Sequence, residues 1–177
     1  ALEGIAAGKS AESEAFKIEL LMKQENLAVN DRSTVSPALV RAEATNSPAA
    51  AMELPDGKII TGKTSALLGP SAALVLNAIK YLAGIEHEKH IISPMSIEPI
   101  QTLKTKYLGS KNPRLHTDEV LIALSSTAAR SDDAKLALTQ LARLKGCQVH
   151  SSVILSEADR KTFQKLGCDL TCEPKYQ

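Results

Sequence analysis

The sequence is poor in the features that most ligand and membrane interactions need. It contains no tryptophan and only 3% aromatic residues, too few for the stacking platforms that bind single-stranded nucleic acid. Its net charge is +1 and it has no basic stripe, so nucleic acid is not an expected partner. No run reaches the ~18 uninterrupted apolar residues of a membrane span. What remains is a core of Ala, Leu, Ile and Val.

The cysteine count and the N-terminal residues bear on the cellular compartment of the protein. Three cysteines are an odd and sparse number, which argues against a disulfide scaffold and favours a reducing environment. The first residues lack a basic region followed by an apolar one, so they do not resemble a signal peptide. The chain also begins at Ala1 instead of Met, which indicates a segment of a longer protein. We therefore expect a cytoplasmic protein.

Two regions differ in pattern. Residues 1–46 are expected to be a helical segment, with a first helix over 10–26 and a second that starts at Ser36 and Pro37. Two helices cannot bury a core alone, so this segment needs a partner surface. Residues 47–177 are expected to form an α/β domain.

The α/β domain begins with a predicted hairpin. Ala49–Leu54 and Lys58–Thr61 have strand composition, and the turn between them contains Asp-Gly, which supplies the positive φ of a tight hairpin. Residues 70–83 are apolar almost all round, which indicates a buried helix. His90–Ser93 is expected to be a further short strand.

The C-terminal part predicts a βαβ unit. Strand Gln148–Leu155 is followed by a helix capped by Ser156 and then by strand Asp169–Cys172, so the two strands should be parallel. Further helices are expected after Ser96 and after Thr117, with these two residues as their N-caps. The predicted fold class is α/β, a three-layer α/β/α sandwich with a mixed sheet, preceded by a short helical segment.

One segment matches a phosphate-binding motif in its letters. Gly57–Thr64 fits G-x-x-x-x-G-K-[ST], but the four x residues are Lys-Ile-Ile-Thr, which is strand composition. A P-loop needs those residues in a loop whose amides surround phosphate. A strand-to-helix connection is therefore favoured, while Lys63, Thr64 and Ser65 are kept as candidate anion-binding residues.

A second cluster lies within Asn112–Glu119. Arg114 can bind a carboxylate or phosphate through two parallel hydrogen bonds, and His116 can act as a general acid or base near neutral pH. Asn112 and Arg114 are candidate ligand-binding residues and His116 is the candidate catalytic residue. The alternative, a solvated loop before a capped helix, explains Thr117 fully but leaves Arg114 and His116 without a role.

No metal site is predicted. His116-x-Asp118 differs from the H-x-E of zinc deaminases, and no P-C-x-x-C follows. Cys168 and Cys172 stand four apart on a predicted strand, about 13 Å between their Cα atoms, too far to share one zinc ion. The cysteines are expected in the core.

Several long segments resemble a known bacterial family. Leu54–Gly57 (LPDG), Lys111–Leu124 (KNPRLHTDEVLIAL) and Leu170–Gln177 (LTCEPKYQ) are similar to the C-terminal region of the family named domain of unknown function 1846. The resemblance runs from about Glu14 to the last residue. It implies a three-layer α/β/α domain and a missing N-terminal portion with a Gly-rich, P-loop-like segment. It carries over no catalytic residue and no cofactor.

Two functional hypotheses follow. In the first, the domain contributes to a nucleotide- or phosphate-ligand site that it shares with the missing portion of the same protein. In the second, it is a structural or oligomerisation domain without catalytic residues of its own, which buries an Ala- and Leu-rich face against a partner or a second copy of itself. Whether the protein is an enzyme is left open at this point.

Overall fold

The structure, a computed structural model, describes residues 32–176. This part contains four strands and six α-helices, with one π-helical and one 3₁₀-helical turn. In chain order they are α1 (Val35–Thr45), β1 (Ala49–Glu53), β2 (Ile59–Lys63), α2 (Pro70–Leu82), α3 (Pro94–Thr102), the π-helical turn Leu103–Tyr107, α4 (Thr117–Ala128), α5 (Asp132–Thr139), the 3₁₀ turn Gln140–Leu144, β3 (Gln148–Ser151), α6 (Glu157–Leu166) and β4 (Asp169–Cys172). The chain has an α/β fold.

The four strands form one mixed sheet in the order β2-β1-β3-β4. The β1–β2 hairpin is antiparallel, and Gly57 in its turn has a φ of +85°, which confirms the predicted hairpin. The β3 and β4 strands are parallel and are joined through α6, which confirms the predicted βαβ unit. Because β1 pairs antiparallel with β3, the sheet is mixed, as the sequence predicted.

Both faces of the sheet are covered. Ala50, Met52 and Val149 belong to the main core, which α2, α4 and α6 complete. Ala51 is fully buried outside that core, on the face where α1 packs, and Ala38 of α1 is likewise fully buried. Side chains alternate between faces along a strand, so helices cover both sides of the sheet. The result is three layers.

The absence of a side chain at Gly62 fixes how closely α2 approaches β2. A Cβ atom built there would lie 2.8 Å from the carbonyl oxygen of Pro70 and 2.6 Å from Cα of Leu74. Such distances are not tolerated, so only glycine permits this helix-to-strand packing.

The predicted strand His90–Ser93 is wrong. These residues form an irregular segment that leads into α3. Ile91 and Ile92 are nevertheless 5% and 4% exposed, because the segment packs against the core without joining the sheet. An apolar run signals burial, and burial does not require a ladder of hydrogen bonds.

Several predicted boundaries also shift. The helix predicted at Ser96 begins at Pro94, and His116 is the N-cap of α4 where Thr117 was expected. The strand predicted to reach residue 155 ends at Ser151, whose hydroxyl donates to Val153 O at 2.6 Å and turns the chain.

Of the two helices predicted within residues 1–46, only the second lies in the part of the chain that the structure describes. The helix expected from Ser36 begins at Val35, and it packs on β1 and β2. The helix expected over 10–26 lies outside the described residues. The division at residue 46 therefore stays a prediction.

Candidate ligand-binding cleft

Two loops that carry predicted site residues meet beside the core. Leu68 and Leu115 form a parallel β-bridge, in which Leu115 N donates to Leu67 O at 3.0 Å. Gly69 N in turn donates to Leu115 O at 3.2 Å. The bridge brings the segment after β2 next to the segment before α4, although they are distant in sequence.

Arg114 joins these two loops. Its Nε donates to Ser65 O at 2.6 Å, and its own amide donates to Oδ1 of Asn112 at 3.1 Å. Arg114, Asn112 and Ser65 are therefore brought together, as the hypothesis of a shared site requires. Thr64 is committed elsewhere, since both its amide and its hydroxyl donate to Pro48 O at 3.0 Å.

The buried side chain of Lys104 fixes the loop that carries Arg114. Lys104 is 7% exposed, and its Nζ donates to Oε1 of Glu119 at 2.7 Å and to Arg114 O at 2.5 Å. The same Glu119 oxygen accepts the amide of His116 at 2.8 Å, as an N3 carboxylate does at a helix start. One carboxylate thus fixes both Lys104 and the N-terminus of α4.

His116 lies beside a buried carboxylate that the sequence did not associate with it. Its Nδ1 is 3.8 Å from Oδ2 of Asp159, which is itself 4% exposed in the first turn of α6. Interaction with this carboxylate raises the pKa of His116, and this outweighs the opposing effect of partial burial.

The pKa of Asp159 reflects opposing causes. Burial, the largest, raises it, but His116 and the amide and hydroxyl of Thr117 stabilise the carboxylate and lower the pKa overall. Ser156 is the N-cap of α6, as predicted, since its Oγ accepts the amide of Asp159 at 3.2 Å.

A cleft runs along β2. Its volume is about 830 Å³, within the range of small-molecule sites. Its lining includes Lys58, Ile59, Ile60, Thr61 and Lys63. Both odd-numbered and even-numbered positions along the strand therefore line the same cleft. Successive side chains point to opposite faces of a sheet. A cleft that meets both sets therefore lies along the free edge of the strand.

The Lys and Arg side chains that line this cleft make it positively charged. Its lining contains four cationic side chains and no Asp or Glu among the residues of 32–176. The four are Arg41, Lys58, Lys63 and Lys80. Clefts lined by one sign of charge concentrate ions of the opposite sign.

Lys80 is the most enclosed of the four cations. It is 7% exposed, and its Nζ donates to His87 O at 2.6 Å. Burial lowers the pKa of Lys80, while Glu88 partly offsets this effect. In the sequence, Lys80 is a single charged residue in the otherwise largely apolar stretch 70–83, and nothing in that pattern indicates a cleft.

The predicted site residues therefore separate into two groups. Lys63 and Ser65 line the cleft, whereas Asn112, Arg114 and His116 do not. Arg114 reaches the cleft only indirectly, by holding Ser65.

The P-loop pattern is not a phosphate cradle. Its central residues form β2, and alternate backbone groups are engaged with β1. Within residues 32–176, no three His, Cys, Asp or Glu side chains are grouped so that they could hold a metal ion. No helix in the same part is long and apolar enough to cross a bilayer.

His150 is a second histidine with a carboxylate neighbour, and it lies on β3, between β1 and β4 in the sheet. Its side chain is 1% exposed, with Nδ1 2.6 Å from Thr171 Oγ1 and Nε2 3.4 Å from Oε2 of Glu173. Burial lowers the pKa of His150, although Glu173 acts in the opposite direction. All three cysteines belong to the core or pack against it, as predicted.

These observations define the class: an α/β domain with a four-stranded mixed sheet between helical layers and a cationic cleft at one sheet edge. Comparison with known proteins gives the family. The chain belongs to the family described as "Domain of unknown function DUF1846, C-terminal", whose model matches residues 30–177. This confirms the resemblance seen in the sequence.

Similar proteins occur in several bacteria. The chain is 56% identical over 161 residues to a UPF0371 protein of Corynebacterium efficiens, covering 91% of this chain and 32% of that protein. It is 55% identical over 161 residues to a UPF0371 protein of Corynebacterium glutamicum, with 91% and 32% covered. A UPF0371 protein of Streptococcus pyogenes serotype M3 is 49% identical over 171 residues, with 97% and 35% covered. The chain thus spans about a third of the length of these relatives.

Proposed function

We propose that this domain binds an anionic ligand, bearing phosphate or carboxylate groups, in the cleft along β2. The observation that supports this is the single sign of charge among the lining residues, four cations and no carboxylate in the described part of the chain. At about 4 Å, and at the effective dielectric constant of a protein surface, each opposite unit charge contributes about 4 kcal/mol before desolvation. Apolar walls from Leu76 and Ile85 would lower the local dielectric further.

The domain would act as the C-terminal part of a longer cytoplasmic protein. The greater length of the relatives supports the first part of this proposal. The free cysteines at positions 147, 168 and 172 support the second, because disulfides form in oxidising compartments. A cleft open on one side would then be closed by the remaining part of the same protein, and a nucleotide or other phosphate ester is a suitable ligand.

Calorimetric titration of the full-length protein tests this proposal. ATP serves as the phosphate probe and citrate as the carboxylate probe. Lys58→Ala and Lys63→Ala should each weaken binding of the bound probe about five- to tenfold, since one charged contact contributes about 1–1.5 kcal/mol at an exposed site. Lys161→Ala is the matched control, because Lys161 is exposed on α6 and pairs only with Glu157 at 3.1 Å. Loss of affinity in the control alone, or no binding of either anion, would contradict the proposal.

His116 with Asp159 is the second candidate function, a general acid–base pair. The favouring observation is that a nearly fully buried carboxylate faces a histidine whose side chain is still 32% exposed. A carboxylate on Nδ1 leaves Nε2 to exchange a proton with a ligand, as in other His–Asp pairs. His116 would then be the catalytic residue and Asp159 the residue that orients it. Because His116 does not line the cleft, this function needs a ligand that reaches His116 itself. Modification of His116 by diethyl pyrocarbonate should slow with one of the two probes, ATP or citrate; an unchanged rate with both would count against this function.

The structural alternative is assembly. The favouring observation is that β2 lies at the edge of the sheet, where a second copy could pair. Sedimentation of the full-length protein tests it: a concentration-independent monomer at high micromolar concentration would remove this alternative.

A further inference from the structure

The backbone groups on the free edge of β2 can be assigned from its pairing with β1. Leu54 N donates to Lys58 O at 2.9 Å, and Thr64 N donates to Pro48 O at 3.0 Å. In an antiparallel pair, hydrogen-bonded positions alternate with positions whose backbone groups point away. The backbone groups of Ile59, Thr61 and Lys63 therefore point outward.

One contact agrees with this assignment. Asn77 of α2 donates its Nδ2 to Thr61 O at 3.0 Å, which is on the outward side. Within residues 32–176, no other hydrogen bond is made to the outward groups of Ile59, Thr61 or Lys63. Apart from the Thr61 carbonyl, the outward groups of these three residues are unpaired within the part of the chain that the structure describes, and such an edge can accept another strand.

The shape of the cleft suits an extended chain. It is bounded on one side by the β2 edge and on the other by α2, which contributes Tyr81, by α3, which contributes Ile97, and by the residues between these helices. At about 3.3 Å per residue, five residues of β2 extend about 17 Å, enough to pair with a peptide of similar length. A small anion would use the cations of this slot but leave its outward backbone groups to solvent.

We infer that the anionic ligand of this cleft is an extended segment of a separate polypeptide, rich in Asp and Glu, that adds as a strand to the free edge of β2. This inference rests on the proposed function, because the same cations select the acidic side chains. Main-chain hydrogen bonds to Ile59, Thr61 and Lys63 supply affinity, and Arg41, Lys58 and Lys63 supply charge selectivity, as in other cases of β-strand addition.

The test measures the binding of three kinds of heptapeptide, with both ends chemically blocked, to the full-length protein. Fluorescence anisotropy reports the binding. The first alternates Val and Glu, the second alternates Val and Lys, and the third is the Glu peptide with N-methyl groups on alternate amides, prepared in both registers. We expect the Glu peptide to bind, the Lys peptide to bind at least tenfold more weakly, and N-methylation in one register to weaken binding at least tenfold.

A pair of variants isolates the backbone contribution. Thr61→Pro removes one outward donor without touching the hydrogen bonds to β1, and proline is tolerated at the edge of a sheet. Thr61→Val keeps the donor and similar shape. We expect at least a tenfold loss of Glu-peptide binding for Thr61→Pro and less than a twofold change for Thr61→Val. If Thr61→Pro does not fold, the N-methylated peptides decide.

The outcomes separate this inference from the proposed function. If ATP or citrate binds and no peptide does, the cleft is an anion site and strand addition is wrong. If neither anions nor peptides bind, both proposals fail. If the peptide binds equally well in both N-methylated registers, it does not add as a strand.

Discussion

Thr117 and Asp159, 42 residues apart, are joined by two hydrogen bonds of 2.8 Å to the same carboxylate oxygen. One comes from the amide of Thr117 and the other from its hydroxyl. A residue in the first turn of α6 therefore caps α4, so the two helix N-termini are fixed to each other. Both partners are buried, Thr117 fully and Asp159 to 4% exposure.

Removal of this carboxylate should be costly. Asp159→Ala leaves the amide and hydroxyl of Thr117 buried without an acceptor, and we expect the free energy of unfolding to fall by about 3 kcal/mol. Urea unfolding followed by circular dichroism measures the change. Asp132→Ala is the control, an exposed acidic residue in the first turn of α5, and should cost less than about 1 kcal/mol. Equal losses in both variants would show that Asp159 acts only through the helix dipole.

The pair of His116 and Asp159 predicts a pH dependence of stability. The pKa of His116 is raised above its ordinary 6.5, so its stabilising contribution is fully present below pH 6.5 and is lost as the pH rises through the raised pKa. The pKa of Asp159 is lowered below 3.8, so its contribution is present above pH 3.8 and is lost as the pH falls through the lowered pKa.

The wild type and His116→Gln should therefore differ most in free energy of unfolding between these two values, and the difference should shrink toward alkaline pH. Denaturant titrations at several pH values measure it, and an NMR titration of the His116 ring gives its pKa directly. A pKa of His116 at or below 6.5 would contradict the prediction.

Gly62 should not accept a side chain. Gly62→Ala places Cβ against the backbone of Leu74 and Pro70, which cannot move without displacing α2, so we expect a loss of about 3 kcal/mol or failure to fold. Gly69→Ala is the matched control, because its Cβ would meet nothing closer than Leu115 O at 3.7 Å and its φ is −69°. We expect that variant to lose about 1 kcal/mol at most. Thermal unfolding distinguishes the two.

Lys104 should stabilise the loop that holds Arg114. Lys104→Met leaves the Glu119 carboxylate and the Arg114 carbonyl without their shared donor, and we expect a loss of about 2–3 kcal/mol in urea unfolding. Lys106→Met, on the same π-helical turn but exposed, is the control and should cost less than about 0.5 kcal/mol.

A double variant separates charge from packing at this position. Adding Glu119→Gln to Lys104→Met should recover part of the loss, because it removes the unpaired carboxylate. If the losses of the two single variants simply add, the ion pair is not the source of the stability.

The sequence predicted elements whose signals are local. Asp56-Gly57 marks the hairpin turn, and Ser156 with Gly167 marks the start and end of α6; both elements are present. The segment around Ile91 was assigned wrongly because its neighbours in the sheet, which the local sequence does not contain, decide whether an apolar run becomes a strand.

The site was predicted less completely for the same reason. Lys63 ends β2 and Ser65 follows it, so their position beside that strand could be inferred from the sequence. Lys80 reaches the cleft, and Asp159 reaches His116, from helices distant in sequence, so both contacts depend on packing. Lys80 carried one weak signal, a charge in an otherwise apolar helix that must find a polar partner.

Because β1 lies between β2 and β3 in the sheet, its two partners are synthesised at different times. β1 pairs with β2 almost at once, but Ala50 meets Ser151 only after about a hundred more residues have been made. At about 5–20 residues per second, the nascent hairpin waits about 5–20 s on the ribosome with one side of β1 unpaired. During that interval the alanine-rich strand is open to any neighbouring chain, so production of this domain should depend on chaperone capacity more than its final stability would indicate.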